Sequence, residues 1–119
     1  MNKSRILIID DEKPILTLLK MQLGKLNLDV AMALSGKEAV EKLEHEVYDL
    51  VLTDINMPDI SGIDILNFVK SKPGICTRVI GMSATPWVMA GHDFDATLVK
   101  PFDLNTIQRV VASLGGNRM

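Results

Sequence analysis

The chain has 119 residues, of which 47% are hydrophobic and 24% charged, and its formal net charge is -2. That balance suits one compact soluble domain with a real core, and it leaves neither a basic field for a nucleic-acid backbone nor a polybasic patch for a membrane surface. The lone Cys76 excludes an internal disulfide, no apolar run reaches the ~20 residues of a bilayer span, and no signal-peptide core precedes the first strand; one cytoplasmic domain over residues 1–119 is expected.

The opening stretch RILIIDDEKP predicts a strand over residues 6–9 that runs straight into Asp10, Asp11 and Glu12. Pro14 suits the first position of a helix whose apolar face gathers Ile15, Leu18, Leu19, Leu23 and Leu26, with Lys13, Lys20 and Lys25 in solvent. Residues 28–33 form the second apolar run. Ser35 and Glu38 read as a capping box ahead of Ala39, Val40 and Leu43. A third strand, residues 50–52 within YDLVLTD, leads to Asp54. Ser61 and Asp64 repeat the capping pattern before Ile63, Leu66 and Val69. The fourth strand, residues 79–82, ends at Ser83. Only residues 84–95 remain for a fourth helix and both its loops. With Thr85 as N-cap, Pro86 at the first helical position and Gly91 as terminator, that helix has little more than one turn. Residues 96–99 form the fifth strand, leading to Lys100. The last helix starts near Asp103, lines up Leu104, Ile107, Val110, Val111 and Leu114, and stops at Gly115 and Gly116.

Strands alternating with helices mean βαβ units, and continuous apolar strands mean burial on both faces. The expected fold is α/β: a flavodoxin-like (βα)5 three-layer sandwich with a parallel sheet in the order 2-1-3-4-5 and a shortened fourth helix. In that order the first and third strands adjoin at the topological switch point, where ligands bind beyond the carboxyl ends. Four strand ends then deliver Asp10, Asp11, Asp54, Ser83 and Lys100 to one edge of the sheet. Any one of these alone reads as a cap or turn residue. Together the carboxylates would repel one another unless a cation or proton intervened. All-oxygen ligation by few carboxylates suits Mg²⁺, which shares its octahedron readily with a phosphate, and a carboxylate beside such a metal can act as nucleophile toward a phosphoryl group.

The chain resembles the receiver domain of two-component response regulators. The resemblance rests on IIDDEKP, LTDINMPDISG, MSATP and LVKPF, in order and at roughly the right spacing, and it covers essentially the whole sequence. It implies that Asp54 takes a phosphoryl group from a phosphohistidine on a sensor histidine kinase or histidine phosphotransfer protein. It implies direct Mg²⁺ ligation by Asp11, Asp54 and the Asn56 backbone carbonyl, with Asp10 acting through metal-bound water. Lys100 would pair with Asp54 at rest and with a phosphoryl oxygen afterwards, and the Lys100–Pro101 bond would be cis. Ser83 would be the switch hydroxyl, while Asn56 and Thr85 would tune phosphoryl lifetime. The domain would promote its own phosphorylation and dephosphorylation without being an enzyme on an external substrate. Output would pass to a downstream protein or a covalently linked output domain.

Two features depart from that pattern. Thr97 stands where relatives carry the switch aromatic, and the shortened fourth helix remodels the surface that most relatives use for output or dimerisation. Two other classes stay open: a Mg²⁺-dependent phosphatase or phosphotransferase, against which the lack of a cap domain or Gly-rich loop speaks, and a receiver-like interaction module without phosphorylation. Trp87 reads either as a partner anchor or as half-packed on the short helix. His45 and His92 lie outside any metal-like cluster and read as surface residues, and Met57, Met82 and Met89 read as packing or loop residues.

Overall fold

The computed structural model describes residues 4–116. The apolar runs become strands β1 (Ser4–Ile9), β2 (Leu28–Ala33), β3 (Leu50–Asp54), β4 (Arg78–Ser83) and β5 (Ala96–Val99). All pair in parallel, in the order β2-β1-β3-β4-β5, as a flavodoxin-like sheet. Helices α1 (Lys13–Gly24), α2 (Gly36–His45) and α3 (Gly62–Lys70) supply the first three crossovers and a short turn the fourth, while α4 (Leu104–Val111) follows the last strand and runs on into a π-helical turn, Ala112–Gly116. Side chains alternate along each strand, so one strand feeds two cores. Ile6, Ile8, Leu50, Leu52, Ile80 and Met82 face α1 and α4. Leu7, Ile9, Val51 and Val79 face α2 and α3.

Three strands extend beyond their apolar runs: β1 begins at Ser4, β3 continues to Asp54 and β4 spans Arg78–Ser83. Ladder hydrogen bonds, rather than side-chain polarity, set those ends. Aspartates tie down strand starts: Asp49 Oδ2 accepts from the Arg5 N–H, and Asp95 Oδ2 from the Val79 N–H, each at 2.7 Å.

The helix faces need three corrections. On α1 the buried residues are Leu16, Leu19 and Leu23, whereas Leu18 is 47% exposed. Leu16 and Leu18 lie about 200° apart around the helix, so only one of them can point at the sheet. On α3 Ile65 is buried and Ile63 only partly so, because the helix presents Ile65, Leu66 and Val69 to the core. At α2 the Ser35 hydroxyl accepts from the Glu38 N–H at 3.1 Å, but the Glu38 carboxylate accepts from Leu34 N–H at 2.6 Å instead of the N-cap amide. Only Ser61 and Asp64 form the full reciprocal box.

Where a fourth helix was expected to be short, one 3-10 turn stands, Pro86–Met89, and Gly91 follows in the left-handed conformation with φ +80. Two side chains from this segment cover β4 directly. A Cβ on Gly81 would lie 3.0 Å from both Met89 Sδ and Phe94 Cε1, so the side chains fill the layer that a longer helix would occupy. Trp87 is 72% exposed, which overturns half-packing on the turn. Met57, Met82 and Met89 are buried, and His45 and His92 are exposed.

Candidate functional site

Strand register assembles the site. Ile9 pairs with Thr53, so the next residues on each strand, Asp10 and Asp54, emerge side by side. Asp54 pairs with Met82, which puts Ser83 at the next step, and Ser83 pairs with Val99, which puts Lys100 one residue further on. Apart from Thr97, which lies near the start of β5, every sequence-predicted residue of the site therefore comes from the carboxyl end of a strand or the loop after it.

Asp10 is fully buried. Its Oδ1 accepts from the Glu12 N–H at 3.0 Å, and its Oδ2 accepts from Lys100 Nζ at 3.1 Å. The same ammonium lies 3.3 Å from Asp54 Oδ1. One cation thus serves two carboxylates. Burial pushes the Asp54 carboxyl above its ordinary value, the Lys100 ammonium draws it back in part, and the Asp10 charge raises it again. Burial alone would lower Lys100, but the hydrogen bond it donates to Asp10 and the charges of Asp10 and Asp54 outweigh it and hold the ammonium above its usual range.

The sign of the Asp54 shift makes a prediction. A carboxylate whose folded pKa is raised binds more protons folded than unfolded between the two values, so stability falls as pH rises through that window and stays reduced above it. In EDTA at pH 7, Asp54→Asn is expected to be more stable than wild type, with the gap closing as pH falls toward 4. Urea denaturation over that range checks it, and an Asn variant less stable at every pH would contradict the charge surplus.

Asp11 and Glu12 are exposed, and carboxylate oxygens of Asp10, Asp11 and Glu12 all come within 4.8 Å of one another. Beside them lies Asp54, whose charge is incompletely balanced. Hard oxygen donors with surplus negative charge fit Mg²⁺. Glu12 is the N-cap of α1 through its backbone only, so its side chain remains available to the cluster.

Ser83 is fully buried, and its Oγ accepts from the Thr85 N–H at 3.0 Å and lies 3.0 Å from Thr85 Oγ1. At rest the hydroxyl faces its own loop. Lys100–Pro101 is cis. Thr97, opposite Gly81 in the ladder, is exposed. The loop after β3 leaves Asn56 exposed between buried Ile55 and Met57.

The response regulator receiver domain family matches residues 6–112. The chain is a response regulator receiver domain. It is 34% identical to the response regulator protein PilR of Pseudomonas aeruginosa over 118 residues, 95% of this chain and 26% of PilR. It is 32% identical to the response regulator ArlR of Staphylococcus saprophyticus, covering 87% of this chain and 49% of ArlR. The receiver domain therefore spans about a quarter to a half of these curated relatives. Among solved structures, the response regulator TrrA of Thermotoga maritima, in complex with Mg(2+)-BeF, has a TM-score of 0.83 at 32% identity, covering 93% of this chain and 98% of that one. The chemotaxis response regulator CheY4 of Vibrio cholerae shares the fold, with a TM-score of 0.86 at 22% identity over 95% of this chain and 99% of that one.

Several features of the receiver domain's site carry no local signal in the sequence. Asp59 Oδ2 accepts from the Lys37 N–H at 2.9 Å and Oδ1 from the Gly36 N–H at 3.3 Å. Backbone N–H groups of Ile60, Lys37 and Gly36 hold the Asp59 carboxyl below the ordinary range. The Asp10 to Lys100 pair is equally long-range. Beside Lys100, an apolar groove of 430 Å³ opens between α1 and the loop after β5, lined by Ile15, Leu18, Leu19, Pro101, Phe102 and Leu104 among others. Exposed Leu18, unexplained by the core, forms part of its wall. No helix among the described residues is long and apolar enough to cross a membrane.

Proposed function

We propose that Asp54 of this domain takes a phosphoryl group from a phosphohistidine, on a sensor histidine kinase or histidine phosphotransfer protein, and that the domain works in the cytoplasm. A carboxylate oxygen of Asp54 forms the new O–P bond as the N–P bond to imidazole breaks and the electron pair leaves with the ring. The carrying observation is the Asp54 carboxyl at the end of β3, 3.3 Å from Lys100 and beside the acidic cluster. Asp11, Asp54 and the Asn56 carbonyl would ligate Mg²⁺ directly, with Asp10 acting through metal-bound water. Bound there, Mg²⁺ supplies charge neutralisation for the transferring oxygens. Lys100 then shifts its attraction from the carboxylate to a phosphoryl oxygen, and Ser83 leaves Thr85 to donate to the same group. That exchange draws on hydrogen bonds already built into the loop, so a small charge change moves the loop after β4.

Asn56 and Thr85 border the acceptor and set how readily water reaches it, which makes them the determinants of phosphoryl lifetime and of the domain's own dephosphorylation. The groove beside Lys100 and the exposed α1 surface suit the apolar face of a phosphodonor helix. Output passes to a protein partner or a covalently linked output domain.

The test is intact-mass measurement after incubation with Mg²⁺ and a small acyl phosphate or phosphoramidate. Wild type is expected to gain one phosphoryl group, only with metal, and Asp54→Asn none. Unmodified wild type beside a control receiver that is labelled would refute the assignment.

A further inference from the structure

The loop between β3 and α3 carries Asn56, and the function proposed above gives Asp59 no part. Asp59 nevertheless crosses to another element, where its two oxygens accept from Gly36 N–H and Lys37 N–H at the start of α2. The next residue is wedged there as well. A Cβ on Gly36 would lie 2.4 Å from Ile60 Cβ and 2.6 Å from the Ile60 carbonyl oxygen. Helix α2 has its own cap in Ser35, so it does not depend on Asp59 to begin. The loop is the element that gains. On its other side it is fastened by the Ile55 N–H to the Met82 carbonyl at 3.0 Å and by the buried Met57 side chain. Asn56 is the exposed residue between these two anchorages.

From this arrangement we infer that Asp59 is a positioning residue, which fastens the loop to the first turn of α2, holds the Asn56 carbonyl at the metal site and thereby sets the Mg²⁺ affinity of the domain. The inference rests on the metal assignment proposed above. A ligand held in place before the ion arrives loses little conformational freedom on binding, whereas a loosened loop must be ordered by the metal itself. The start of α2 thus becomes an outer support of the site, reached across the chain.

The test is calorimetric titration of Mg²⁺ into wild type, Asp59→Ala and Asp59→Asn, with urea denaturation of each in EDTA. Affinity of Asp59→Ala is expected to fall about tenfold, the lower end of the range for lost outer-shell support. Asp59→Asn is expected to lie between Asp59→Ala and wild type, since its one amide oxygen keeps the bond from Lys37 N–H while its NH2 group cannot accept from Gly36 N–H. Because Asn lacks the charge, its partial rescue separates fastening from long-range attraction of the cation. The urea curves show that the titrated proteins are folded; a stability loss alone leaves the affinity of folded molecules unchanged. Unchanged affinity in Asp59→Ala, or equal weakness in both variants, overturns the inference while leaving the metal site standing. Wild type that binds no Mg²⁺ overturns the metal assignment and the inference with it.

Discussion

Lys100→Met is expected to cost the metal-free domain about 3 kcal/mol of stability at pH 7, the scale seen when one partner of a buried ion pair is removed. Asp10 and Asp54 would then lie buried beside each other with no ammonium between them. The loss has a signature that a simple packing defect lacks. It should shrink as pH falls and the Asp54 carboxyl, already pushed up by burial, takes up a proton, and it should shrink when Mg²⁺ is added. A ligand at a hundred times its dissociation constant contributes about 2.7 kcal/mol to the folded state, comparable with the loss itself. With its competitor cation gone, the variant should bind Mg²⁺ more tightly than wild type, while phosphoryl uptake falls because the transferring oxygens lose a fixed positive charge. Urea denaturation in EDTA and in Mg²⁺, at pH 5 and pH 7, checks each part. A variant as stable as wild type in EDTA at pH 7 would refute the account of the site's electrostatics.

Gly62→Ala should be nearly as costly, for a different reason. A Cβ there would meet the Asp54 carbonyl oxygen at 2.5 Å and Ile55 Cα at 2.9 Å. Both are backbone atoms at the end of a buried strand, so neither can swing aside. A loss of about 2 to 3 kcal/mol is expected from such overpacking. Because the displaced atom belongs to Asp54 itself, the phosphoryl uptake of the folded fraction should fall too. Gly24→Ala is the control: nothing lies within 4 Å of its Cβ, and the exchange should be neutral or stabilising by up to about 1 kcal/mol. Chemical denaturation and phosphorylation measured on the same preparations compare the three proteins. Equal behaviour of Gly62→Ala and Gly24→Ala would mean that α3 yields where the packing says it cannot.

The legible parts of this molecule are those written locally or periodically. Strand runs such as LVLTD and the capping pair Ser61 and Asp64 announce themselves within a few residues. The site was legible for a related reason: parallel strands in a known order share a carboxyl edge, so reading which polar residues follow each apolar run is enough to collect Asp10, Asp54, Ser83 and Lys100. What escaped depends on contacts between distant segments. Asp59 reaches Gly36 and Lys37 across more than twenty residues, and no spacing rule ties DISG to SGK. The choice of Leu16 over Leu18 turns on how α1 is rotated against the sheet, since a leucine-rich helix offers several overlapping faces. The Glu38 bond to Leu34 is a shift of one residue at a cap, decided by the path of the incoming chain.

The brief turn after β4 changes what kind of output device this domain can be. Its backbone bonds are Val88 N–H to Thr85 at 3.0 Å, Ala90 N–H to Trp87 at 3.3 Å and His92 N–H to Met89 at 3.3 Å, two of them long. A full helix answers a push by moving as a rod and carries the displacement over its whole length. A single turn is compliant: it can rewind locally while its neighbours stay still, so a small force yields a large local response that dies out within a few residues. Under the function proposed above, such a response would be concentrated on Trp87, whose indole stands out in solvent four residues beyond Ser83. On that reading a longer helix would broadcast the change, whereas this segment would confine it to whatever touches that ring.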